Sequence, residues 1–198
     1  MLIMKPCPGI RVQKIYIPSG ARRIPALVLS PEELSAPATG VLWIHGGGYI
    51  SGMKEMVYIS RAVELVKSFG AVVVSPGYRL APFSPYPAAI DDCYAALLYM
   101  KEHAAELGVR EDQLMVGGES AGGGLCAAVC IKARDTGEVN VAFQMPLYPM
   151  LDDRDTETSR DNHGRVWNTW KNHFGWRCYL RGTDRETLPP YAAPARVE

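Results

Sequence analysis

Two short stretches of this sequence hold residue types spaced for acyl chemistry. The first is Gly118-Glu119-Ser120-Ala121-Gly122. It follows the strand-like run Gln113–Val116 and precedes Ala121–Ala133, which reads as a helix rich in Ala, Cys and Val. A strand-to-helix turn this sharp holds its central serine in strained backbone geometry, and glycine on either side avoids clashes. The hydroxyl is thereby lifted above the carboxyl ends of the strands, where open α/β sheets bind ligands. A Gly-x-Ser-x-Gly run also arises by chance, so its placement between strand and helix carries the weight.

The second stretch is His45-Gly46-Gly47-Gly48-Tyr49, beginning where the apolar run Val41–Ile44 ends. Each glycine weakens the fold by roughly 0.5–1 kcal/mol relative to alanine, so three in a row call for a compensating use. Exposed backbone N–H groups are that use. Gly47 and Gly48 offer two donors for an oxyanion, and the amide of Ala121 a third. The alternative, a flexible or phosphate-binding loop, has no Gly-x-Gly-x-x-Gly or Gly-Lys-Ser pattern to support it. Together the motifs point to a nucleophilic hydrolase. Ser120 is then the candidate nucleophile and Gly47, Gly48 and Ala121 the candidate donors to the developing charge, with His45, Gly46, Gly118, Glu119 and Gly122 as the rest of the two motifs.

The elements that must position these motifs follow from pattern. Val12–Ile17 and Ala26–Leu29 read as strands, with Pro18-Ser19-Gly20 as the turn of a hairpin. Val41–Ile44 and Ala71–Val74 are continuous apolar runs, as expected of strands buried on both faces. Between them, Met56, Ile59, Val63, Val66 and Phe69 recur near helical spacing and predict one helix over residues 55–69, stopped at Gly70. Pro76, Pro82, Pro85 and Pro87 forbid regular structure in the next connection. A long helix is expected from Ala88 to Leu107, and a strand over Val141–Leu147. Strand and helix alternate after residue 40, which implies an α/β fold: a mostly parallel central sheet with helices on both faces. Asp152 to Arg165 holds no hydrophobic residue and reads as a solvated excursion. Three of the four tryptophans then crowd into residues 166–179.

Composition narrows the function classes. The chain has 198 residues, 47% of them hydrophobic, with 21 Lys+Arg against 21 Asp+Glu. That is a globular chain of a size suited to a single domain over residues 1–198. Zero net charge argues against a nucleic-acid partner, because phosphate neutralisation needs clustered Lys and Arg. No apolar run approaches the roughly 20 residues of a membrane span, and the start lacks the apolar core of a signal peptide. Five cysteines without paired spacing fit reduced thiols in a cytoplasmic protein. Cys126 and Cys130 stand at i,i+4 with no His or third Cys near, and read as small core residues rather than metal ligands. No metal and no cofactor are expected.

At the level of family, the chain resembles the hormone-sensitive-lipase-like branch of the α/β-hydrolases, which includes many bacterial carboxylesterases. The matching residues are His45–Tyr49, Tyr78-Arg79-Leu80-Ala81-Pro82, Asp91-Asp92 and Gly118–Gly123. Tyr148-Pro149-Met150-Leu151-Asp152-Asp153-Arg154 and Pro190-Tyr191-Ala192-Ala193-Pro194 add to them, in the family's order. Two departures stand out: Glu119 where the family usually has Asp, and Phe83 where it often has Glu. The resemblance implies a serine carboxylesterase acting on a small acyl ester, with amides as the nearest variant and a homodimer as an option for its assembly. It assigns Ser120 as nucleophile, and Gly47, Gly48 and Ala121 as the oxyanion hole. It reads His45 as a hydrogen-bonding support of the glycine loop, and Arg79 and Asp91 as polar contacts around the proline-rich connection. The amino-terminal segment would form or border the acyl pocket, and the aromatic stretch 166–179 either borders it or is ordinary core.

A serine nucleophile needs a general base, and in this fold the order along the chain is Ser, then Asp or Glu, then His. The family's acid and His follow later strands, and neither an Asp-Pro-Leu-like nor a His-Gly-Phe-like motif is present. His163 and His173 do not follow core strands, as triad geometry requires. The expectation is therefore a domain whose carboxyl-terminal part is missing, truncated before its last two strands, with Val141–Leu147 as an apolar edge. A fragment of a longer reading frame is the favoured reading, over a degenerate product or a chain completed by another. A catalytically inactive small-molecule-binding protein on the same scaffold is the alternative function.

Overall fold

A computed structural model describes residues 7–34 and 36–197 of the chain. Strands β1 (Ile10–Ser19) and β2 (Arg22–Pro31) form an antiparallel hairpin that pairs Ser19 with Arg22. Gly20, at φ 56°, makes the left-handed turn between them. Strand β3 (Ala38–Ile44) leads to a 3-10 turn at Lys54–Ile59, helix α1 (Ala62–Phe69) and strand β4 (Val72–Pro76). Helices α2 (Ala88–Glu102) and α3 (Ala104–Leu107) precede strand β5 (Val109–Glu119). Helix α4 (Ala121–Thr136), strand β6 (Phe143–Leu147), and helices α5 (Glu157–Arg160) and α6 (Thr169–Tyr179) complete the series, before a 3-10 turn at Pro194–Arg196.

The sheet order is β1-β2-β4-β3-β5-β6. The hairpin is antiparallel to β4, while β4, β3, β5 and β6 run parallel. Period-two alternation sorts β3 between two cores. Leu42 and Ile44 face Val72, Val74 and Val116 and pack under α2, α4 and α6. Val41 and Trp43 face Leu27, Leu29 and Val73 and pack under α1 through Ala62 and Val66. This is the expected α/β arrangement, and the parallel strands end together beside Ile44 and Glu119.

Several expectations need correction. The single helix over 55–69 is two pieces, because Ser60 turns extended (φ −99°, ψ 174°) between them. Its hydroxyl donates to Val57 O at 2.9 Å and accepts from Ala62 N at 3.1 Å, a local bonding that competes with helix continuation. Ile59 and Phe69 consequently face outward at 70% and 74% exposure instead of joining an apolar stripe. The helix over 88–107 breaks at His103, whose ring stacks on Tyr99 and bonds its carbonyl at 3.1 Å. Strand β5 is longer than Gln113–Val116, with a register shift against β3 between Thr39 and Gly40. Strand β6 does lie at the sheet's edge, with Phe143 57% exposed.

The excursion after residue 152 is not uniformly solvated. Asp153 has a side chain only 3% exposed, gripped by Arg196 through bonds of 2.7 and 3.0 Å. Thr156 caps the short α5 through a capping box with Ser159. Around the proline-rich connection Arg79 pairs with Asp92, not Asp91. Asp92 is fully buried and takes bonds from Arg79 Nε, Nη2 and backbone N, and from Ser19 Oγ at 2.6 Å. Asp91 lies one helical step away and meets Lys132 at 3.1 Å. Among the described residues, no helix is long and apolar enough to cross a membrane.

Candidate active site

The carboxyl end of β5 feeds directly into Ser120, which caps α4 at φ 56° and ψ −118°. A non-glycine residue there costs of order 1–3 kcal/mol and persists only when neighbours over-determine it. They do so here. Ser120 N donates to Leu147 O at 3.0 Å, and Ser120 O accepts from both Gly124 N and Met150 N at 3.0 Å. Gly122 lets α4 cross the end of β3, since a Cβ on it would overlap Ile44 O and His45 O. Ser120 is half-buried. It lines a cavity of about 680 Å³ with Tyr148, Met150, Trp167, Asn172 and Trp176. A second cavity of about 810 Å³ lies beyond Tyr148, bounded by Glu119, Tyr58 and Arg61.

The glycine loop lies against this turn. A Cβ on Gly46 would stand 2.8 Å from Glu119 O and 3.3 Å from Ser120 Cβ. Gly47, Gly48 and Tyr49 all have positive φ, at 116°, 62° and 64°. Backbone of this hand is open to glycine, whereas at Tyr49 it is uncommon and must be held by its surroundings. Gly47 O accepts from Ile50 N and Ser51 N at 3.1 and 3.0 Å, which closes the loop on itself. Ala121 opens the first turn of α4, where backbone N–H groups have no partner one turn back and the helix dipole favours negative charge. The glycine loop thus meets the Ser120 turn at Gly46, and Trp167, which touches Gly48, lines the same cavity as Ser120.

His45 is 2% exposed and stacks on Tyr78, ring centroids 4.2 Å apart. Its Nδ1 meets Gly46 O at 2.8 Å, and a carbonyl only accepts, so Nδ1 carries the proton. Burial lowers its pKa from 6.5 to about 4, against a smaller opposing effect of that bond, so the ring is neutral at pH 7. Tyr78 Oη donates to His45 O at 2.9 Å. Burial raises the Tyr78 pKa well above its usual value, keeping the phenol a donor. Tyr78 belongs to the Tyr-Arg-Leu-Ala-Pro run, but nothing in its spacing marked it as the plate under His45.

The remaining histidines stand elsewhere. His103 bonds Tyr99 O, His163 pairs with Asp161 on the surface, and His173 pairs with Asp155 at 2.8 Å. Among the described residues none of the four is bonded to Ser120 Oγ. The aromatic stretch divides its roles: Trp176 and Tyr179 are core beneath Tyr49, Trp167 lines the 680 Å³ cavity, and Trp170 is 70% exposed. Cys93 and Cys126 are buried, and Cys130 half-buried.

Known proteins share this fold. A family profile described as the alpha/beta hydrolase fold matches residues 41–198. Esterase LipI of Mycobacterium tuberculosis is 39% identical over 170 residues, covering 85% of this chain and 52% of that protein. Hormone-sensitive lipase of Ictidomys tridecemlineatus is 35% identical over 136 residues, covering 67% of this chain and 17% of that protein. Among solved structures, a bacterial heroin esterase superposes with a TM-score of 0.90 at 36% identity, covering 96% of this chain and 62% of that one. The chain therefore spans about half the length of the mycobacterial esterase it matches. A serine held between β5 and α4 opposite a glycine loop, on this sheet and with these relatives, places the chain in the α/β-hydrolase family, in its hormone-sensitive-lipase-like branch.

Proposed function

We propose that the protein is a serine carboxylesterase acting on small acyl esters, with Ser120 as nucleophile. Ser120 Oγ forms a bond to the acyl carbon as its proton passes to a base. The carbonyl oxygen becomes an oxyanion held by the amides of Gly47, Gly48 and Ala121. Collapse of this intermediate expels the alcohol, which takes up the proton. Water then releases the acid from the acyl-enzyme by the same steps. No cofactor is required by this chemistry. The observation that carries the reading is the over-determined positive φ of Ser120 beside the glycine loop, whose Gly46 Cβ position stands 3.3 Å from Ser120 Cβ.

An organophosphonate is expected to label Ser120 in the intact gene product and to leave a Ser120→Ala variant unlabelled. Absence of labelling in the folded protein would sink the proposal. Among the described residues no histidine is bonded to Ser120 Oγ, and turnover of p-nitrophenyl esters reads out whether a base serves it. Loss of the histidine in a serine triad costs about 10⁶ in kcat. That same observation favours a second reading, a small-molecule-binding protein on a hydrolase scaffold. Tight ligand binding by the intact protein without turnover or labelling would support it.

A further inference from the structure

Three consecutive glycines leave the loop after β3 with little stiffness of its own, because glycine populates positive and negative φ about equally. An oxyanion donor, by contrast, must be fixed before reaction. What restrains Gly48 is a residue more than a hundred positions away. A Cβ placed on Gly48 would overlap Cη2 and Cζ3 of Trp167, so the indole's far edge rests on the Gly48 α-carbon. From α6, Gly175 closes the other side: its own Cβ position lies 2.8 Å from Gly48 O and 3.4 Å from Trp167 Cη2. Gly48 is thus clasped between an indole edge and a helix backbone.

Trp167 is itself anchored. Its Nε1 donates to Asn172 Oδ1 at 3.4 Å, and the adjacent Asn168 caps α6 by accepting from Lys171 N at 3.0 Å. The same helix holds the next residue of the loop. Tyr49 stacks on Tyr179 with centroids 4.0 Å apart and lies tilted against Trp176 at 5.3 Å. Trp167 also lines the cavity that contains Ser120. From these contacts we infer that Trp167 is a positioning residue for the reaction: it locks the Gly48 amide in its donating orientation and forms one wall of the acyl-ester cavity. This rests on the Ser120 reading above.

The test compares the intact protein with Trp167→Ala, Trp167→Phe and Asn172→Ala variants, each checked for native circular dichroism. Two readouts are taken: kcat and KM on p-nitrophenyl butyrate, and the inhibition constant of an alkylboronic acid, which forms a tetrahedral adduct on serine. Loss of one oxyanion donor outright costs about a hundred- to thousand-fold, so loosening one is expected to cost about 10- to 100-fold. Trp167→Ala should lower kcat and weaken the boronate by similar factors, with a smaller rise in KM from the lost cavity wall. Trp167→Phe should recover part of the loss, and Asn172→Ala should show a smaller loss of the same kind. A folded Trp167→Ala variant with unchanged kcat and boronate affinity, or with only KM raised, would overturn the inference while leaving Ser120 in place. Should Trp167→Ala not fold, unchanged boronate affinity in both other variants would overturn it equally. A wild-type protein that binds neither boronate nor phosphonate would overturn the Ser120 reading and this inference together.

Discussion

The two glycine-flanked segments of the site are held in opposite ways. The turn at 118–122 is braced by backbone: β5 before it, α4 after it, and the main chain at Leu147 and Met150 bonding Ser120 N and O. The loop at 45–49 bonds itself only at Gly47 O and is otherwise restrained from outside, by Tyr78 beneath His45 and by Trp167, Gly175 and Tyr179 around Gly48 and Tyr49. Strain can be stored where backbone bonds surround a residue, whereas a run of glycines must borrow its rigidity from side chains packed against it. Damage to the turn should therefore act locally and severely, and damage to the loop should arrive from distant positions.

Four changes would break or sharpen that contrast. The largest effect is expected at Ser120→Gly in the intact protein, where esterase turnover falls by about 10⁶. Relief of the positive φ should at the same time raise stability by about 1 kcal/mol. Assay and urea denaturation on one preparation check both, and a destabilised variant would show that Ser120 is not strained. Gly122→Ala comes next. Its methyl would meet two backbone carbonyls that cannot move aside, at a cost of about 3 kcal/mol or more, read as a lowered urea midpoint with unchanged slope.

On the loop side, His45 supplies a pH signature. Its folded pKa, about 4, lies below the unfolded value of 6.5. Its contribution is thus fully present above pH 6.5 and is lost as the pH falls toward 4, because the unfolded chain takes a proton that the buried ring refuses. The loss over that window is about 3 kcal/mol. A His45→Asn variant, less stable at pH 7, should show a flatter dependence between pH 6.5 and 5, and an unchanged slope would count against a neutral buried ring. The smallest effect is expected from Tyr78→Phe, which keeps the stacking ring and leaves His45 O without its 2.9 Å bond. A loss of about 1–2 kcal/mol in chemical denaturation is expected.

Much of this was legible in the order of residue types. Apolar runs bounded by turn residues marked β3 and β4, and Gly118–Gly122 stood where a strand met a helix. The misses have physical causes. Periodicity over 55–69 does not register that a serine hydroxyl can take over the backbone bonds of its own turn, as Ser60 does. Adjacent acids look alike in sequence, yet a 100° helical step buries Asp92 against Arg79 and sends Asp91 to Lys132. The polar run after 152 concealed Asp153, because its counter-charge, Arg196, comes 43 residues later.

By itself, then, the sequence determined the local chemistry: which serine lies in a turn, which amides lack side chains, and which segments alternate between strand and helix. These depend on neighbours within a few residues, through steric limits on φ and the periods of helix and strand. Only the tertiary structure decided what presses on the glycine loop, which histidine is neutral and buried, and which tryptophans line the cavity with Ser120. Those are contacts between distant segments, some more than a hundred residues apart, set by how α6 and the proline-rich connection pack over the ends of the parallel strands, and no local pattern encodes them.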